Sequence, residues 1–269
     1  MTVFVKRIIS GVIYVILFLS AILFSEKSYI VLLTLFAGVC LWEFLRIIAS
    51  KNPIPYIVLA FLSYLLLLKP YILVKENQIL FYSVIYSIVC ASILILKLFD
   101  KENRPTSKLN LFLSPIKYIV LPFFFLMALP FLEGIYHPYI IIYTVLIIWV
   151  NDSFAYLVGK NFGRNKLFER ISPKKTLEGF IGGLVFSIAA GVIIGYFSPT
   201  FATINWIIIA MIISVFGTLG DLVESKFKRQ ANIKDSGKIM PGQGGLLDRL
   251  DSLFFLAPFV YLYIHFFIN

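Results

Sequence analysis

Between Ser225 and Ser252 the chain reads S-K-F-K-R-Q-A-N-I-K-D-S-G-K-I-M-P-G-Q-G-G-L-L-D-R-L-D-S, a charged, glycine-rich stretch in a sequence otherwise dominated by apolar side chains. Unpaired charges are costly in hydrocarbon, so acids, bases and glycines gathered in one place mark a site, and their types suit phosphate and metal. On a helix Asp221, Glu224, Ser225 and Lys228 fall at i, i+3, i+4 and i+7, which sets acid, hydroxyl and base along one stripe. Asp248 and Asp251 repeat the i, i+3 relation at the start of the last apolar run. Between the two pairs lie Lys234-Asp235-Ser236-Gly237 and Pro241-Gly242-Gln243-Gly244-Gly245, a loop whose backbone can approach a phosphate closely. Carboxylates at the ends of two helices joined by such a loop suit Mg²⁺, a hard cation that shares its shell with nucleotide phosphates.

Two further stretches carry polar groups into apolar surroundings. In W-V-N-D-S-F-A-Y-L-V-G-K-N-F-G-R, Trp149 to Arg164, Asn151 and Asp152 sit inside an apolar run, and an intramembrane acid usually faces the bundle interior. In S-P-K-K-T-L-E-G, Ser172 to Gly179, Thr176 can cap the following helix, and Ser172, Pro173 and Glu178 read as ordinary helix-start residues. A helix amino terminus beside Lys174 and Lys175 is also an anion site.

The elements that must position these groups are membrane spans. Of 269 residues 60% are hydrophobic and 14% charged, against about a quarter charged on an ordinary soluble domain. Apolar runs near the length of about 20 residues that a bilayer requires occur at 8–24, 29–48, 54–68, 79–98, 116–132, 138–158, 176–197, 204–222 and 252–268. The expectation is an all-α polytopic protein of about nine transmembrane helices in a single domain spanning 1–269, with its chemistry in about 149–252. The first run resembles a signal peptide in length, but no small-residue cleavage site follows and it is read as a retained helix. With the amino terminus cytoplasmic, all of the 24 basic residues except Lys27, Lys69 and Lys75 fall on one face, in accord with the positive-inside rule. The carboxyl terminus then lies outside.

Cys40 and Cys90 lie in separate apolar runs, and His137 and His265 are isolated, which excludes a disulfide framework and a Cys/His zinc site. The net charge of +10 belongs to one membrane face, where it attracts anionic lipid headgroups. No basic patch on a soluble module points to nucleic acid.

The pattern Ser225-x-Phe227-Lys228-Arg229, Lys234-Asp235-Ser236-Gly237, Pro241, Gly244-Gly245-Leu246-x-Asp248-Arg249-Leu250-Asp251 resembles the signature of the phosphatidate cytidylyltransferases, also called CDP-diacylglycerol synthases. Asn151 to Arg164 and Ser172 to Gly179 are similar to other stretches of that family, so the specific likeness covers about the carboxyl-terminal 120 residues. Two departures stand out: Gln243 where the family usually has His, and Met240 where it has Leu, Ile or Phe. Gln243 cannot titrate near neutral pH as His can, which argues against an acid–base role at this position.

The resemblance implies transfer of a cytidylyl group from CTP to phosphatidate at the cytoplasmic face of a bacterial inner membrane, giving CDP-diacylglycerol and pyrophosphate with Mg²⁺ as cofactor. The phosphate of phosphatidate is already largely ionised near neutral pH, so it needs positioning and charge neutralisation more than a general base. On this reading Asp221 and Asp248 lead the candidate metal ligands, with Asp251, Asp152 and Asp235 behind them. Lys174, Lys175, Lys228, Arg229 and Arg249 neutralise phosphate, and Ser225 and the Gly244-Gly245 backbone donate hydrogen bonds. Ser172, Thr176 and Lys234 complete the substrate-binding set. A CTP-dependent lipid kinase of the polyprenol or phytol type would also need a membrane-embedded nucleotide and metal site. A transporter would instead place its charges near the bilayer midplane. A homodimer is compatible with a small polytopic enzyme, although no residue establishes one.

Overall fold

A computed structural model of the chain describes residues 3–68, 78–100 and 108–268. Lys69, Lys75, Lys101 and Arg104, which entered the charge argument, lie outside them. The described residues form α1 (Val3–Phe24), α2 (Glu26–Ile47), α3 (Ile54–Leu68), α4 (Gln78–Phe99), α5 (Lys108–Pro115), α6 (Leu121–Ala128), α7 (Pro138–Phe162), α8 (Leu177–Phe197), α9 (Thr203–Gln230) and α10 (Leu247–Tyr263). Helices α5 and α6 are one span. Pro115 removes a backbone donor where they meet, and a π turn, Ile116–Val120, carries the chain between them. Among the described residues eight helical spans are long and apolar enough to cross a membrane, and α3 is a shorter apolar ninth. The all-α expectation of about nine spans holds.

Several boundaries move. The fifth span runs from Leu109 to Ala128 rather than 116–132, because Phe131–Leu132 (β1) and Ile135–Tyr136 (β2) close a hairpin over Glu133 and Gly134, both at positive φ. Ser172 and Pro173 do not start a helix: Ser172–Thr176 is a strand (β4) paired with Lys166–Phe168 (β3), and only Thr176 takes the cap role, accepting from Gly179 N at 3.1 Å. Helix α9 continues past 222 to Gln230, and α10 begins at Leu247 rather than 252. At 1.5 Å per residue the 28 residues of α9 reach about 42 Å, beyond a hydrocarbon core of about 30 Å. Its charged last turns therefore stand at headgroup depth.

The helices pack by two means. The buried face of α8 is Gly179, Gly183, Ser187 and Gly191, a four-residue repeat of small side chains that lets α7 and α9 approach closely. A Cβ at Gly191 would come within 2.7 Å of the Trp206 carbonyl oxygen of α9, and one at Gly179 within 2.7 Å of the Ala155 carbonyl oxygen of α7. Helix α10 instead fills the centre with bulk: Phe254, Phe255, Leu256 and Tyr261 are buried against Phe123, Phe125 and Tyr118. By contrast α1 is mostly exposed, as a lipid-facing helix should be.

One end of the bundle gathers the basic termini and loops. Arg7 Nε donates to Gly242 O, Arg170 donates to the carbonyls of Leu98 and Asp100, and Lys226 donates to Lys97 O. The opposite end is tied by neutral contacts, including Tyr136 to Ile22 O and Tyr263 to Asn205.

Candidate active site

The site grows from α7, α9 and α10 at the basic end of the bundle. Asn151 is buried at the α7–α8–α9 junction, where its Oδ1 accepts from the hydroxyls of Ser214 at 2.7 Å and Ser187 at 3.3 Å. Its Nδ2 donates to Asp152 Oδ1 at 3.2 Å, which aims that carboxylate along α7. The polar pair thus fastens three helices and orients an acid in one step, as buried polar groups in a membrane bundle must.

On α9 the expected stripe is present. Asp221 pairs with Lys175 Nζ from β4 at 2.7 Å through Oδ2 and accepts from Ser225 Oγ at 3.2 Å through Oδ1. One helical turn further, Lys228 pairs with Glu224 on its own helix and, at 2.6 Å, with Asp248 Oδ1 on α10. These three side chains are 12% exposed or less, so the lysine neutralises two buried carboxylates at once.

Asp248 organises the glycine loop. Its Oδ2 accepts from Gly245 N at 2.8 Å and Ser236 N at 3.0 Å, and lies 3.1 Å from Ser236 Oγ, whose one hydrogen it shares with Glu43. Gly244 sits at φ +98°, and a Cβ there would press on Asp248 Oδ2 at 2.8 Å, so the residue must be glycine for the loop to wrap the carboxylate. The outer side of the loop is held by Arg249, which donates to Gln243 O at 2.6 Å, and by α1. Gln243 Nε2 donates back to Arg7 O at 2.6 Å and Ser10 Oγ at 3.2 Å, so Gln243 and Arg7 form a reciprocal clamp between loop and helix.

A cavity of about 690 Å³ opens among these elements. Asp152, Asp221, Asp248, Asp251, Lys174, Lys175, Thr176 and Arg249 line it, together with the apolar side chains of Tyr14, Val15, Val145, Ile148 and Leu253. Lys234, Asp235 and Gly244 line a separate recess beyond the loop, which Arg249 also borders. Lys228, Ser225, Gly245, Arg229 and Ser172 border neither; Arg229 donates to the carbonyls of Ile171 and Ile233 and fastens the loops. Sequence reasoning therefore placed eight of its residues around one cavity, while Lys228, assigned there to phosphate, is taken up by carboxylates.

One residue went unread. Glu43, on α2, is fully buried and accepts from Leu247 N at 2.8 Å, Ser236 Oγ at 3.1 Å and Leu246 N at 3.3 Å. It is the one acid inside the first five apolar runs, and the rule that singled out Asp152 would have found it.

The Gln243 contacts carry an expectation for substitution. The Gln243 side chain ties loop to helix through Arg7 O and Ser10 Oγ, and the Arg249 bond is to its backbone, so Gln243→Ala should keep turnover within about tenfold, against about 10²–10³ for loss of a group that stabilises developing charge. A loss beyond that range in folded protein would place Gln243 in the chemistry. Gln243→His should be tolerated.

Comparison with known proteins agrees with this layout. The model of the cytidylyltransferase family matches residues 5–267. A phosphatidate cytidylyltransferase of Bacillus subtilis (strain 168) is 34% identical over 262 residues, covering 95% of this chain and 96% of that protein. One of Staphylococcus aureus (strain COL) is 50% identical over 128 residues, covering 47% of this chain and 48% of that protein. One of Staphylococcus haemolyticus (strain JCSC1435) is 48% identical over 120 residues, 44% of this chain and 46% of that protein. A match along nearly the whole chain, on a multi-span helical bundle whose cavity is lined by acids, bases and apolar side chains, has one conclusion: the chain belongs to the cytidylyltransferase family and is a membrane-embedded nucleotidyltransferase.

Proposed function

We propose that the protein transfers the cytidylyl group of CTP to phosphatidate, releasing pyrophosphate, at the cytoplasmic face of a bacterial inner membrane. The observation that carries this reading is the make-up of the cavity, whose lining combines lysines and carboxylates with apolar side chains from α1, α7 and α10. A substrate with a phosphate on a hydrocarbon body fits such a space. Its volume also falls within the range of small-molecule sites, about 300–1,000 Å³.

Lys174 is exposed to the cavity and Lys175 sits beside Asp221, so both can meet phosphate oxygens of either substrate. The α8 amino terminus begins directly after these lysines, and its positive dipole end favours the same anion. With the charge of the lipid phosphate offset there, its oxygen is held for in-line attack on the α-phosphorus of CTP. The apolar side chains exclude water that would otherwise compete as nucleophile.

Mg²⁺ suits the donor set. Asp221 lies within electrostatic reach of both Asp152 and Asp251, and all three line the cavity. Among the described residues no three carboxylates close into a cage of their own, and Mg²⁺ does not require one, since it is usually held by one or two carboxylates plus waters and substrate phosphates. Asp221 with Asp251 or Asp152 would hold the ion, which when bound offsets negative charge on the reacting phosphates. Asp248, with one oxygen on Lys228 and the other on the amides of Gly245 and Ser236, is better suited to holding the loop.

The phosphorus that moves decides the reaction. Purified protein with phosphatidate, Mg²⁺ and CTP should place an α-phosphorus label in the lipid and release pyrophosphate. A γ-label in the lipid would overturn this reading in favour of a lipid kinase.

A further inference from the structure

Helix α10 carries Asp248 and Asp251 and begins at Leu247, yet Leu246 at its N-cap offers no side chain to its first N–H groups. A buried helix start without acceptors is unstable, since its first amides have no partner within the helix. Here the acceptor comes from another helix. The Glu43 carboxylate on α2 takes the Leu246 and Leu247 N–H groups and reaches the Ser236 hydroxyl. That hydroxyl stands 3.1 Å from Asp248 Oδ2 as well, so Glu43, Ser236 and Asp248 form one buried network from α2 to the glycine loop.

We infer that Glu43 is a positioning residue for cytidylyl transfer, a cap supplied in trans that fixes the start of α10 and with it Asp248 and Asp251, which line the cavity together with Asp221. The inference rests on the proposed reading of this cavity as the transfer site. Three observations favour a positioning role. Each group facing Glu43 in this network is a donor, two backbone N–H groups and one hydroxyl, and a carboxylate is the side chain that only accepts. The loop packs closely on this carboxylate: Cβ atoms at Gly237 and Gly245 would both collide with it. The network also ends on Asp248, which in turn holds Lys228 and the Gly245 amide. A one-turn rotation or a small slide of α10 would carry Asp251 away from Asp221, and errors of that size are costly to pre-organised sites.

The test uses the full-length protein in detergent with the α-label assay. Glu43→Gln keeps shape but turns an amide N–H₂ toward donors. In folded protein it should reduce kcat by about 10–100-fold, the usual cost of losing a group that orients site residues from behind, with KM for phosphatidate nearly unchanged. Amide hydrogen exchange at Leu246 and Leu247, read without substrate or metal, should speed up. Unchanged kcat, a rise in KM alone, or unchanged exchange at those two amides would each overturn the inference. If Glu43→Gln does not fold, Glu43→Asp decides: it keeps the charge but draws the carboxylate back from the Leu246 and Leu247 amides, and parental kcat with unchanged exchange at those amides would overturn the inference. A parent protein that transfers no α-label would defeat the proposed reaction itself, an outcome distinct from an active parent with an indifferent Glu43.

Discussion

Asp221→Asn is expected to leave the protein folded and to lower turnover by about 10² or more, because the charge it removes serves the reaction and not the bundle. Asp221 is 37% exposed and makes two contacts, an ion pair with Lys175 and a hydrogen bond from Ser225. Asn keeps the second and loses the first, and an ion pair this accessible contributes at most about 1 kcal/mol to stability. The proposed role is larger: with Asp152 and Asp251 it supplies the negative charge that a divalent cation on the phosphates requires. Melting temperature and the Mg²⁺ dependence of turnover, measured on the same samples, separate the roles. A variant that melts like the parent, with low activity partly restored by more Mg²⁺, is the expected result. Near-parental turnover with an unchanged Mg²⁺ response would remove Asp221 from the metal site.

How far the sequence reveals this arrangement depends on the range of the interaction concerned. Spans are legible because the bilayer fixes their length and excludes charge, and among the described residues eight long apolar spans and one short helix lie where apolar runs were found. The stripe Asp221-Glu224-Ser225-Lys228 is legible because helical spacing is local, and Ser225 to Asp221 and Lys228 to Glu224 do meet. The ends of α9 and α10 were misplaced because charge was taken to end a span, whereas helices continue into the headgroup zone with their charges neutralised. Lys228 was assigned to phosphate; besides Glu224 on its own helix it meets Asp248, twenty residues away across the glycine loop. Glu43 was passed over because W-E-F-L-R, with Arg46 one turn on, reads like the charged exit of a second span. Only the fold brings it to residues about 200 positions away.

Lys228→Met is expected to act on stability first, and this separates a buried neutraliser from a phosphate ligand. The lysine lies between Glu224, 1% exposed, and Asp248, 8% exposed, and is itself 12% exposed. Met fills a similar volume without the charge, leaving two neighbouring carboxylates buried and unpaired. Breaking a buried pair by removing one partner costs about 3–5 kcal/mol. Part of that cost falls on the loop, because Asp248 also holds Gly245 and Ser236. The variant should therefore purify poorly and melt well below the parent. Adding Glu224→Gln should recover part of the loss, since it removes one of the two stranded charges. A phosphate-binding lysine predicts the reverse: Lys228→Met would melt like the parent, KM for CTP or phosphatidate would rise, and Glu224→Gln would restore nothing. Melting curves of the single and double variants beside the parent, with KM for both substrates, decide between the two. A parental melting temperature for Lys228→Met would show that the two carboxylates do not depend on this lysine for their neutralisation.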